Sequence, residues 1–272
     1  MTELALAIAT TEFDRTTAVT PSSQSPGWYE VDLSELWLSL VGIHGGYQAA
    51  ISVQAATAAV PGRPVRTLST SFIRSAQPGP ASLRVQELRR GRTASTVTAE
   101  LWQRGELRAS TRLTMIEAGT DGVAWAAPAP VSLPSPEHCE PLNPPNRVVH
   151  FERAEGRLDP ATIPFTGGDQ ARIAGWIRPL EARPIDAAWL AMAADWFPPP
   201  AFVRVEPPTG GISVDLTTHI HRPITDLGDG WLAGTFEITE SAGGLAVEHG
   251  RITTDTGFMV AESFHTRLTA VR

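Results

Sequence analysis

Asp195 stands at the polar end of an apolar run, Ala187-Ala188-Trp189-Leu190-Ala191-Met192-Ala193-Ala194, and a carboxylate so placed can orient and partly deprotonate a water. The plainer alternative is a solvated residue closing a helix, although an acid at a helix C-terminus opposes the helix dipole. Ser213 falls on an alternating strand, on one face with Asp215, Thr217, His219 and His221, while Ile212, Val214, Leu216, Thr218 and Ile220 take the other. That face reads equally as a solvent face. His265 shares a side with Ala261 and Ser263, opposite Phe258, Val260, Phe264 and Leu268. An imidazole there can accept or donate a hydrogen bond or act as a base near neutrality, or it can be structural. Gly45 and Gly46 open a helix whose free N–H groups would suit a carbonyl oxygen or oxyanion, and glycine there would also permit close helix packing. Of Arg74, Arg90, Arg92 and Arg222, Arg92 is the preferred candidate for meeting phosphate groups. His219 and His221 have a chelating spacing, but few further ligands lie nearby, so no metal is expected. A nucleophile-elbow serine hydrolase is a poorer reading still, since there is no G-x-S-x-G.

The elements that must carry these residues come in two sets. In the first, a helix from Gly46 to Ala59, apolar nearly all round and therefore buried, is closed by Pro61-Gly62. Strands follow at Arg66–Arg74, Ser82–Arg89, Ser95–Gln103 and Leu107–Ile116. The last alternates, with Ala109, Thr111, Leu113 and Met115 on one side and Arg108, Ser110 and Arg112 on the other. In the second set, Pro184-Ile185-Asp186 opens a helix that Pro198-Pro199-Pro200 stops. Strands then follow at Gly211–His221, Trp231–Glu240, Leu245–Asp255 and Phe258–Thr269. Arg74 matches Arg222, Gly91 matches Gly243, Gly105 matches Gly257 and Ala109 matches Ala261, in the same order, which marks an internal duplication. Two such halves should join edge to edge into one sheet. Between them a run carrying Pro128, Pro130, Pro134, Pro136, Pro141, Pro144 and Pro145 cannot lie in a helix or central strand, giving units at 1–118 and 147–272 around a linker at 119–146.

Composition narrows the function. With 22 basic against 29 acidic residues, a net charge of −7 and no basic block, nucleic acid is not an expected partner. The single cysteine, Cys139, excludes an internal disulfide and reads as structural. The N-terminus lacks the pattern of a secretory signal and no stretch approaches a membrane span, so no membrane partner is expected and the cytoplasm is the expected location.

Several segments in order resemble the acyl-CoA thioesterase II family. They are Ile43-His44-Gly45-Gly46-Tyr47, Ser71-Phe72-Ile73-Arg74, Leu88-Arg89-Arg90-Gly91-Arg92, Ala194-Asp195-Trp196-Phe197-Pro198, Ser213-Val214-Asp215 with His219-Ile220-His221-Arg222-Pro223, and Val260-Ala261-Glu262-Ser263-Phe264-His265. The resemblance implies an α+β double hotdog: two tandem hotdog units forming one long antiparallel sheet around two central helices. It implies hydrolysis of an acyl thioester, carried by coenzyme A or an acyl carrier protein, without a cofactor. The family's water-binding aspartate, threonine and glutamine fall on Asp195, Ser213 and His265. Serine keeps the hydroxyl, whereas histidine for glutamine is a departure, and it leaves a non-hydrolytic acyl-thioester or hydrophobic-ligand binder as the alternative. Association into a homo-oligomer stays open.

Overall fold

A computed structural model describes residues 10–117, 125–126, 128, 131–142, 148–204, 211–222 and 230–269. In chain order the N-terminal half contains helix α1 (Glu12–Thr17), strands β1 (Thr20–Pro21) and β2 (Trp28–Leu33), helix α2 (Gly45–Ala59), then β3 (Val65–Phe72), β4 (Gly79–Arg90), β5 (Ala94–Gln103) and β6 (Glu106–Ile116). The rest contains β7 (Glu140–Pro141), β8 (Ala154–Leu158), β9 (Ala171–Pro179), helix α3 (Ala187–Ala193), then β10 (Ile212–Ile220), β11 (Leu232–Ala242), β12 (Leu245–Thr254) and β13 (Met259–Leu268).

All these strands form one 13-stranded antiparallel sheet in the order β1-β2-β4-β5-β6-β3-β10-β13-β12-β11-β9-β8-β7. The halves meet edge to edge at β3 and β10, as expected, where the Ser69 and Thr217 hydroxyls lie 2.8 Å apart. Outward from this seam the order β3-β6-β5-β4-β2 is mirrored by β10-β13-β12-β11-β9. The duplication extends to backbone detail: the Arg74 N–H donates to the Arg108 carbonyl as the Arg222 N–H does to Val260. β2 and β9, the fifth strand of each half outward from the seam, are not among the strands expected from the sequence, although β2 alternates. β9 is buried through its middle without alternation, so it lacks the period that reveals a half-covered strand.

Helix α2 is buried along most of its length, packing on β3–β6 and on α3, as its apolar circumference requires. α3 opens on Asp186, whose carboxylate accepts from the Trp189 N–H at 2.8 Å. It is shorter than its apolar run, because the last turn tightens: Asp195 N–H donates to Met192 O and Trp196 N–H to Ala193 O. The prolines that follow forbid another turn. One continuous core joins both helices to both half-sheets. Parts of the expected linker lie outside the described residues. Its 131–142 part packs against the C-terminal half, with Val131, Leu133 and a buried Cys139 against Trp176 and Trp231. Burial raises the Cys139 thiol pKa, in keeping with a packing role.

Candidate active site

Asp195 is not a solvated helix end: it is only 8 % exposed. It terminates its own helix but faces the N-terminus of the other. The Gly46 N–H donates to its Oδ2 at 2.9 Å, so the positive end of α2 offsets the unfavourable end of α3. Both glycines are needed for this approach. A Cβ on Gly46 would lie 2.6 Å from the Met192 carbonyl oxygen, and one on Gly45 would lie 2.9 Å from Asp195 Oδ2. The Gly46 N–H, expected to face a substrate oxygen, donates to Asp195 in this structure.

His44, the N-cap of α2, completes this side. Its Nδ1 accepts from the Tyr47 N–H at 3.3 Å, which leaves the proton on Nε2 to donate to the Asp195 carbonyl oxygen at 2.9 Å. The same Nε2 stands 3.4 Å from Oδ2. The His150 ring stacks on His44 at 4.2 Å, and its pKa falls well below the ordinary histidine value through burial and then the neighbouring His44.

From the sheet, β13 turns Ala261, Ser263, His265 and Arg267 inward. His265 is fully buried, with Nδ1 3.4 Å from Asp195 Oδ1 but outside hydrogen-bond geometry, and neither ring nitrogen has a partner among the described residues. Burial first, then the Arg267 charge, pulls its pKa down to about 3, so the ring is neutral near pH 7. Arg267 donates from Nη2 to Asp195 Oδ1 at 3.2 Å and from Nε to Glu248 Oε2 at 2.6 Å. Its Nη1 reaches the Gly211 carbonyl at 3.2 Å and Ser213 Oγ at 3.4 Å. Burial would lift the Asp195 carboxyl, but His44, His265, Arg267 and the Gly46 N–H outweigh it and hold the pKa at about 2. Burial raises Glu248, with Arg267 opposing.

Ser213 corrects the face assignment. A bulge at Val214 pairs Ser213 with Arg267 and Asp215 with Thr266, so the strand changes phase within β10. Ser213 therefore belongs to the inward face with Leu216, Thr218 and Ile220, whereas strict alternation had put it with Asp215 and His219. Arg92 is not brought to the site. It lies exposed in the β4–β5 turn, where its carbonyl accepts from Arg63. His219 and His221 are exposed, and among the described residues no group of His, Cys, Asp or Glu side chains could hold a metal.

The residues that the sequence reading left out are His44, Glu248 and Arg267. Each had a signal: His44 precedes Gly45 at the cap position, and Arg267 is in phase with His265. Glu248 is in phase with Ala246 and Ile252, a charge on an inward face.

Two helices buried against one long antiparallel sheet, with a mirrored strand order about a central seam, define a double hotdog. Residues 34–116 match the family model for the acyl-CoA thioesterase N-terminal domain, and residues 136–269 match that for its C-terminal domain. The chain belongs to this acyl-CoA thioesterase II-like family and is a thioester hydrolase. The fold is shared with a hot dog protein of unknown function from Alicyclobacillus acidocaldarius, at 22% identity and a TM-score of 0.87 over 97% of this chain and 99% of that one. It is shared also with an acyl-CoA thioesterase II from Mycobacterium marinum, at 23% identity and a TM-score of 0.74 over 96% and 98%. No curated protein sequence matches the chain significantly. Among the described residues no helix is long and apolar enough to cross a membrane.

Proposed function

We propose that the chain hydrolyses an acyl-CoA thioester with a water held by Asp195, His265 and Ser213. The observation that carries this reading is a neutral imidazole, buried and without partners, beside an ionised carboxylate. The Asp195 anion favours the His265 tautomer with hydrogen on Nδ1, which leaves Nε2 as an acceptor for a water O–H. A carboxylate with a pKa of about 2 is a weak base, so Asp195 acts chiefly by orienting and polarising the water. The water oxygen bonds to the thioester carbonyl carbon as its proton passes to His265 Nε2 and the tetrahedral oxyanion forms. The C–S bond then breaks, and the protonated ring returns that proton to the leaving sulfur to give a thiol beside the carboxylic acid product. Ser213 Oγ, already within reach of Arg267, supplies a further hydrogen bond on this side.

The test is thiol release from acyl-CoAs of short, medium and long chain, and from the corresponding carrier-protein thioesters, for wild type and Asp195→Asn. Turnover in wild type that falls by about 100-fold or more in the variant is expected, at the scale of losing one positioned acid–base group. An equally active variant would remove Asp195 from the reaction.

A further inference from the structure

We infer that Arg267, gripped by Glu248, is a positioning residue for thioester hydrolysis, fixing the Asp195 carboxylate and the Ser213 hydroxyl in one arrangement; this rests on Asp195 being the residue that holds the water. The guanidinium is fully engaged. Nε and Nη2 lie 2.6 and 3.4 Å from the two Glu248 oxygens, Nη2 also meets Asp195, and Nη1 meets Gly211 and Ser213. A planar fork with fixed donors sets directions that a flexible ammonium would not. Both members are buried, Arg267 at 3 % and Glu248 at 2 % exposure.

Fold stability does not explain the pair. A buried ion pair is often no better for stability than apolar side chains of similar volume. The molecule contains that comparison: in the N-terminal half Val65 pairs with Met115 and Val97 with Leu113, as Ser213 pairs with Arg267 and Glu248 with His265. Val97 and Met115 thus occupy the places of Glu248 and Arg267, fully buried and in the same sheet. What the pair adds is a link, running from β12 through β13 to the end of α3 and the start of β10, between two groups that would otherwise be fixed separately.

The link also shapes the charge on Asp195. The groups facing that carboxylate are His44 and the Gly46 N–H from α2, His150 from the 149–153 turn, His265 and Arg267 from β13, and Glu248 from β12. Removing Arg267 and Glu248 together takes away a cation in direct contact and a more distant carboxyl, so protonation of Asp195 moves to higher pH.

The experiment places the N-terminal half's residues in the C-terminal half: Glu248→Val with Arg267→Met, beside wild type and Asp195→Asn. The double variant is expected to fold, because Asp195 keeps His44 and the Gly46 N–H beside it. Its kcat should fall by at least about 30-fold with KM changed less than about threefold, as loss of orientation predicts. The acid limb of its pH–rate profile should move to higher pH. A folded double variant with wild-type kcat and an unmoved pH profile, beside an inactive Asp195→Asn, would overturn the positioning role alone. An active Asp195→Asn would overturn the underlying reading and this inference with it. Should the double variant fail to fold, Arg267→Lys serves instead, keeping the charge and losing the fork. A kcat about tenfold lower at constant KM supports the role, and wild-type kcat refutes it.

Discussion

The two halves have the same strand order, the same bulge near the seam and a buried helix each, yet among the described residues only the second buries charged side chains of its strands in the core. Val65, Val97, Leu113 and Met115 in the first half stand where Ser213, Glu248, His265 and Arg267 stand in the second. Val53, as far beyond the N-cap His44 as Asp195 is beyond the N-cap Asp186, is buried at 2 % exposure. Five apolar positions thus answer five polar ones on one backbone plan. The difference teaches that the sheet and helices do not require these polar groups. It also shows that the site depends on both halves, since the second half's carboxylate is met by the first half's helix at Gly46.

The comparison can be broken most severely at Val53. Val53→Asp would bury a carboxylate without an Arg267 counterpart, and chemical denaturation should show a loss of about 3–5 kcal/mol, the range for an uncompensated buried charge. A variant as stable as wild type would mean that the first half tolerates charge as the second does. Gly46→Ala comes next. Its Cβ would meet the Met192 carbonyl, so we expect about 1–3 kcal/mol of destabilisation from overpacking, together with a clear fall in kcat as the contact with Asp195 opens. His265→Leu makes the second half resemble the first at Leu113. Turnover should drop by about 10–100-fold while stability changes by less than about 1 kcal/mol, because the ring makes no direct hydrogen bond to the described residues.

Acid should also separate the halves. His265, held at about 3 against a usual 6.5, and His150, held well below 6.5, are neutral in the fold and take up protons on unfolding. Their stabilisation is complete above pH 6.5 and is lost as pH falls toward the folded values. Asp195 extends the loss between 3.8 and about 2, while Glu248, raised by burial, works the other way. Denaturant midpoints measured from pH 7 to 4 should decline, and less steeply in His265→Leu. The smallest effect is expected at Ser213→Ala. Its 3.4 Å contact to Arg267 is long, and a fall in kcat of about two- to fivefold would fit a weak hydrogen bond.

Much of this architecture was legible because burial writes itself into periodicity. β6 alternates, α2 is apolar on all sides, and the paired glycines at 105 and 257 each begin a matching strand. β9 was not legible, since a strand covered on both faces has no alternation to read. Asp195 and His265 could be placed from the resemblance and from strand phase. Ser213 was assigned to the wrong face because one bulged residue reverses every side chain before it, and a bulge at Val214 has no glycine to announce it. Arg267 and Glu248 share the phase of the inward residues on their strands, but a charged residue in a strand reads as solvent-facing unless its partner across the sheet is known.

The contact between Gly46 and Asp195 spans 149 positions of chain, and the seam pair Ser69 and Thr217 spans 148. Contacts so distant are slow to form, because a long loop must close before they return any energy. During synthesis the first half can complete its six strands before Asp195 has been made, and it then waits with the start of α2 uncovered. Catalytic competence is therefore among the last things the chain acquires as it folds, and regained hydrolysis should lag behind regained sheet in refolding.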